Sequence, residues 1–132
     1  MTIELVKRIV FTITGIVVLA AALIQANYDL KFIKKAIPAK GEVIRLNAGK
    51  AHVEIRFTTY TGKVMEYPQN GMIYCELGEK VTVLYDPENP DHVQMNTFGA
   101  IWGLLVPQVI MGLFFTWAGL TRNRNKIIQI TY

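Results

Sequence analysis

The stretch IVFTITGIVVLAAALIQANY, residues 9–28, runs for 20 positions without a charge. As a helix rising about 1.5 Å per residue it covers about 30 Å, the thickness of the hydrocarbon core of a bilayer. A second stretch, VQMNTFGAIWGLLVPQVIMGLFFTWAGLT, fills residues 93–121 and again carries no charge over 29 positions. Two such segments in a chain of 132 residues predict a membrane protein of α+β class. In it, two transmembrane helices flank a small polar domain.

Composition agrees with that class. The chain is 52% hydrophobic with a mean hydropathy of +0.27. Only 68 residues, 29–96, are left for anything outside the membrane. A unit that small buries a marginal core. The net charge of +4 does not point to nucleic acid, because five basic residues, Lys7, Arg8, Arg122, Arg124 and Lys126, sit just outside the apolar stretches. Basic residues there meet anionic headgroups and set topology. The first stretch has one competing reading, a signal peptide with Lys7 and Arg8 ahead of the apolar run and Ala20, Ala21 and Ala22 as the cleavage site. The run continues through Leu23 and Ile24, which favours a retained anchor.

Flanking charge gives the orientation. Basic residues border both outer ends, whereas Asp86, Glu88 and Asp91 precede the second stretch. Both termini are therefore expected in the cytoplasm, with the chain crossing the membrane twice. Lys31, Lys34 and Lys35 resist this reading, since they would be carried across.

Between the spans the pattern changes to period two. Val53, Ile55 and Phe57 alternate with Glu54, Arg56 and Thr58, as in a half-buried strand. Thr61-Gly62 separates that run from residues 63–67, a hairpin signal. Residues 41–46, 80–85 (KVTVLY) and 92–95 complete five short strands. They predict a small antiparallel sheet or partly open β-barrel. Leu30, Ile33 and Ile37 lie at helical spacing among lysines, so residues 29–37 read as an amphipathic extension of the first helix lying at the membrane surface, ended by Pro38. The expected boundaries are a first transmembrane helix over 1–28, the interfacial helix over 29–37 and an extracytoplasmic β-domain over 38–96. A second transmembrane helix over 97–121 and a cytoplasmic basic tail over 122–132 complete them.

The runs AKGEVI (residues 39–44), VEIRF (53–57), TGK (61–63) and above all LGEKVTVLYDPENP (77–90) carry a likeness. With them the chain resembles the bacterial membrane-protein family catalogued as domain of unknown function number 3592. The likeness covers nearly the whole chain and is most specific in the G-x-x-V-x-V-x-Y-D-P-x-N-P segment. It implies a bacterial envelope protein and brings no activity or catalytic residues with it. The same segment has a direct physical reading. Pro87 suits the second position of a type I turn, Asp86 the first, and Asp86 and Asn89 are biased to extended conformations by the prolines Pro87 and Pro90 that follow them. These four residues form a structural turn that ends the KVTVLY strand. A cation site from Asp86, Glu88 and Asp91 lacks EF-hand spacing.

Little else carries chemistry. His52 and His92 are the two histidines and Cys75 is the single cysteine, so zinc-ligand spacing and an internal disulfide are absent. Neither a phosphate loop nor a nucleophile–base set is present. No enzyme and no cofactor are expected. The second span is richer. Gly99 and Gly103 form a GxxxG pair, and Gly112 and Thr116 continue the small-residue spacing as a helix-packing surface. Pro107 frees the carbonyl of Gly103 and predicts a kink, and Gln108 needs a polar partner at depth. Trp102 and Trp117, about 22 Å apart on one helix, read as interfacial anchors beside Arg122, Arg124 and Lys126. In the first span Thr12, Thr14, Gly15, Ala22 and Ala26 offer small surfaces to a partner helix.

Three function classes follow. The first is a membrane-anchored β-domain acting as an interaction or accessory module, with a membrane or envelope protein, or a second copy, as partner besides the bilayer. The second is an immunity protein that neutralises a membrane-acting toxin. The third is a subunit of a channel or transporter complex, which the lack of ionisable residues in the spans disfavours.

Overall fold

A computed structural model describes residues 2–121. The chain divides into two compact units. One comprises residues 2–26 and 105–121 of the described chain, and the other comprises Asn27–Leu104.

In the first unit, helix α1 (Ile3–Lys35) packs through its N-terminal part on helix α3 (Leu105–Thr121). The contact is made backbone to backbone through small residues. On α3 these are Gly112, Thr116 and Gly119, at spacing i, i+4, i+7, which keeps them on one face. A Cβ at Gly112 would lie 2.7 Å from Leu19 Cγ and 3.3 Å from the Gly15 carbonyl oxygen. A Cβ at Gly15 would overlap the Thr116 hydroxyl, and one at Gly119 that of Thr12. The Thr116 hydroxyl donates to the Gly112 carbonyl at 2.8 Å, which keeps it satisfied inside the helix. Phe11 and Phe115 meet at 5.5 Å between ring centroids, tilted by 43°. The outward faces stay apolar and exposed, including Val17 and Ile24 on α1 and Ile110 and Phe114 on α3.

Among the described residues α1 is the helix long and apolar enough to cross a membrane by length and composition. Only 11% of its most apolar 18-residue window is buried, which separates it from the core helix of a soluble protein. The expectation of one continuous helix over 97–121 is corrected. That segment forms a five-residue helix, α2 (Phe98–Trp102), and the 17-residue α3. The break falls at Gly103 and Leu104, because Pro107 has no N–H to give the Gly103 carbonyl and its ring crowds that oxygen.

The second unit is a curled antiparallel sheet of five strands in the order β3-β2-β1-β4-β5. They are β1 (Ile37–Leu46), β2 (His52–Thr58), β3 (Val64–Asn70), β4 (Lys80–Tyr85) and β5 (Val93–Met95). The extension of the first helix expected over 29–37 is present as far as Lys35, and only its end at Ile37 is corrected. α1 runs unbroken to Lys35, and Ile37 opens β1. Ile37 precedes Pro38 and is thereby pushed to an extended conformation. Pro38 is tolerated because residues 37–40 pair with β4 alone, while the ladder with β2 begins at Gly41. A bulge between Val43 and Arg45 bends β1 between its two partners.

Period two delivers one face of this sheet to the core. Val43, Val53, Ile55, Phe57, Tyr67, Cys75, Val83, Tyr85 and Met95 form it. Phe57 meets Tyr67 edge-on at 6.0 Å and Tyr85 at 5.4 Å. The Tyr85 hydroxyl accepts the Tyr60 backbone N–H at 2.8 Å, so the ring is buried without an orphaned oxygen. On the outer face opposite charges sit on register partners, Arg56 with Glu66 and Lys80 with Glu42.

The curl brings edge strand β3 to β5, and a side chain rather than a ladder joins them. Gln69 is buried, and its Oε1 accepts the Met95 backbone N–H at 2.8 Å and the Tyr67 hydroxyl at 3.2 Å. Its Nε2 donates to the Asn70 carbonyl at 2.8 Å. Replacing Gln69 with leucine strands the Met95 N–H and the Tyr67 hydroxyl in the core. An unsatisfied buried donor costs about 1–3 kcal/mol. Gln69→Leu is expected to lower the thermal unfolding midpoint of the β-domain, read by circular dichroism in detergent. An unchanged midpoint would show that Gln69 does not hold the seam.

Candidate functional site

The connection between β3 and β4, residues 71–79, has no helix or strand and exposes three large apolar side chains. Met72 is 67% exposed, Tyr74 74% and Leu77 65%. Between them Ile73 is half-buried and Cys75 is fully buried. Alternation therefore persists here without a strand. Inward residues fix the segment and outward ones are left free of the core.

The fixing contacts are numerous. The Cys75 N–H donates to the Lys50 carbonyl at 3.0 Å, and its Sγ lies 3.8 Å from Met95 Sδ. The Glu76 N–H donates to Glu79 Oε2 at 2.8 Å, and the Gly78 N–H to the Val43 carbonyl at 2.8 Å. Gly71 and Gly78 take φ of 120° and 80°, so the reversals at the two ends need glycine. Outside the loop, Lys50 Nζ sits 2.6 Å from Glu76 Oε1 and 4.8 Å from the centroid of the Tyr74 ring. The Glu76 carboxylate holds the Lys50 ammonium well above its usual range. The exposed ring is thereby backed by a permanent cation. Burial pushes the Cys75 thiol up and keeps it protonated.

The Gly99–Gly103 pair belongs to this site, and the expectation that it packs helix against helix is corrected. A Cβ at Gly99 would overlap the Met72 carbonyl, and one at Gly103 would lie 2.9 Å from Met72 Cβ. The glycines seat α2 on the loop and hold Met72 with its side chain outward. The Thr97 hydroxyl caps α2 by accepting the Ala100 N–H at 3.3 Å. Gly112 and Thr116 lie instead in the α1–α3 contact, and Gln108 is half-buried in the first turn of α3. Trp102 ends α2 and Trp117 is on α3, so the 22 Å spacing expected along one helix does not apply. Arg122, Arg124 and Lys126 lie outside the described residues.

The turn of Asp86, Pro87, Asn89 and Pro90 forms a second cluster. The Asn89 N–H donates to the Asp86 carbonyl at 3.2 Å, and the Glu88 N–H to Asp86 Oδ1 at 3.0 Å. The Asp86 N–H donates to the His92 carbonyl at 3.0 Å. Asp86 is 2% exposed, and its carboxylate pairs with Lys35 in the last turn of α1. Beside it Phe32, also buried, stacks on His92 at 4.3 Å. Lys35 is the member of this cluster that a reading of the turn by itself misses, because it lies 51 positions upstream of Asp86.

The Lys35 hydrogen bond holds the Asp86 carboxyl below the ordinary 3.8 of an aspartate, and the Glu88 N–H adds to it. A carboxyl whose folded pKa is depressed stabilises the fold above its unfolded value. That contribution fades as pH falls below 3.8 toward the folded pKa. Asp86→Asn keeps an acceptor for the turn and removes the ion pair. It is expected to lower the unfolding midpoint at neutral pH and to flatten its decline below pH 3.8. Parallel acid limbs in mutant and wild type would show that the pair contributes nothing. Among the described residues no group of three or more His, Cys, Asp or Glu side chains is placed to hold a metal ion.

The chain is similar to the immune protein Tsi4 of Pseudomonas aeruginosa, with 36% identity over 95 residues. The alignment covers 70% of this chain and 66% of that relative, so the chain spans slightly less than two thirds of Tsi4. No family model matches the chain, and no solved structure matches it.

Proposed function

We propose that this chain is an immunity protein of the bacterial cytoplasmic membrane, which binds and neutralises a toxin acting in or at that membrane. The similarity to the immune protein Tsi4 carries the reading. Neutralisation by binding needs a stable surface rather than a reacting group. The loop over residues 71–79 supplies one, with Met72, Tyr74 and Leu77 exposed on a segment already fixed by internal bonds. Tyr and Met are enriched where protein partners meet, and a preformed loop avoids the entropy cost of ordering on binding. The broader role of a membrane-anchored interaction module is contained in this reading.

In the proposed arrangement α3 crosses the membrane beside α1. Its 17 residues lie at the short end of the spanning range, and its outward face is apolar. Both termini are cytoplasmic and residues 38–96 face outward, an orientation supported by Lys7, Arg8, Arg122, Arg124 and Lys126 at the two ends. The pairing of Lys35 with Asp86 removes one of the three lysines that speak against it.

The test is protection. The open reading frame beside this gene is expressed with an export signal, alone and together with this chain. Growth arrest that the chain relieves is the expected result, with the two proteins recovered together from mild detergent. Arrest unrelieved by the chain would overturn the reading. Orientation is read separately in a Cys75→Ala background. Gly62→Cys is expected to react with an impermeant maleimide in intact cells and Asn125→Cys is not.

A further inference from the structure

The α1–α3 pair has a cleft of about 240 Å³ at the end that carries Arg8. Leu5, Ile9 and Ile13 recur at i, i+4, i+8 along α1 and form one wall; Leu120 of α3 forms the other. Gly119 and Thr12 close the floor, where the Thr12 hydroxyl takes the space a Cβ on residue 119 would need. Among the described residues the one cation lining the cleft is Arg8. Its Nε donates to the Gly119 carbonyl of α3 at 3.3 Å. That bond fixes the guanidinium at the mouth of the cleft without neutralising it. Among the described residues no carboxylate forms a salt bridge with it, whereas the neighbouring Lys7 pairs with Glu4 at 3.4 Å.

An apolar trough capped by a fixed guanidinium, with no salt bridge among the described residues, matches one chemistry, an anion joined to a hydrocarbon chain. We infer that the cleft binds an anionic phospholipid. Its phosphate is held by the terminal nitrogens of Arg8, and the first carbons of one acyl chain lie along Leu5, Ile9 and Leu120. The inference rests on the reading that α1 and α3 lie in the membrane. That reading places Arg8 at the level of the cytoplasmic headgroups, where basic pockets between helices meet anionic lipids. The planar guanidinium suits a phosphate better than an ammonium does, because it offers two parallel donors.

The full chain, purified in mild detergent, is examined by native mass spectrometry with phosphatidylglycerol, with phosphatidylcholine and with glycerol phosphate. One phosphatidylglycerol per chain is expected, retained about fivefold or more over phosphatidylcholine, with no retention of glycerol phosphate. Arg8→Gln should abolish the preference, and Arg8→Lys should keep part of it. Ile9→Trp, which fills the trough and leaves the charge in place, should lose the lipid while the helix pair keeps its unfolding midpoint. Equal retention of the two lipids, or an undiminished preference in Arg8→Gln, overturns the site. Retention of glycerol phosphate as strong as that of the lipid overturns the lipid assignment. A chain that does not float with vesicles overturns the membrane reading and the site together. One that floats without headgroup preference overturns the site alone.

Discussion

Replacing Gly15 with leucine is expected to separate α1 from α3. Even the first carbon of a side chain there would overlap the Thr116 hydroxyl, and it would lie 2.5 Å from the Thr116 backbone nitrogen and 2.8 Å from the Gly112 carbonyl oxygen. A rotamer change relieves the hydroxyl. The two backbone contacts yield only if the helices move apart. Overpacking a tight contact costs about 1–3 kcal/mol, and in the proposed membrane setting no hydrophobic drive restores the pair, because lipid tails are as apolar as leucine. The contact is readable by cross-linking. In a Cys75→Ala background, Phe11→Cys with Phe115→Cys, at positions whose native rings lie 5.5 Å apart, should be joined by a short thiol-directed cross-linker. Adding Gly15→Leu should abolish the link, while Thr14→Leu, on the exposed side of the same helix, should not. A cross-link that survives Gly15→Leu means the glycine is incidental to the packing.

The second large effect is expected at Tyr74. Truncation to alanine removes an aromatic ring that is 74% exposed, makes no core contact and is backed by Lys50. Residues of this type at the centre of an interface carry about 2 kcal/mol or more each, about thirtyfold in affinity. Tyr74→Ala should therefore weaken toxin binding and protection while the unfolding midpoint stays at the wild-type value. Adding Met72→Ala should extend the loss. Gly99→Ala gives the opposite signature. Its new Cβ meets the Met72 carbonyl, so the loop and the stability of the β-domain should suffer together. Full protection by a folded Tyr74→Ala, Met72→Ala double mutant would move the contact face elsewhere.

These two sites were unequally legible in the sequence. The strands declared themselves through alternation, and Val53, Ile55 and Phe57 all sit in the core. Ile37 was ambiguous, because it completes both a helical triplet with Leu30 and Ile33 and an alternation with Ala39. The proline after it decides for the strand. GxxxG spacing says that something approaches closely at Gly99 and Gly103 and not what, and the partner turned out to be the backbone of Met72. The apolar run from 93 to 121 opens on the expected short strand and then hid two helices and a break, since hydropathy averages over the place where Pro107 unpairs a carbonyl. The loop's exposed residues were visible as neighbours of Cys75. Which of them face outward is fixed by bonds to Lys50, Val43 and Glu79, and no local pattern encodes those.

The buried sulfur contact between Cys75 and Met95 bears on how the protein survives its own biogenesis. In the proposed orientation the β-domain matures in a compartment where thiols are oxidised. A lone cysteine there has no intramolecular partner and is exposed to mixed disulfides for as long as the chain is open. Folding removes it from solvent altogether and pushes its thiol away from the reactive thiolate. In that orientation a completed molecule is inert to the oxidising machinery, whereas a chain still open is not.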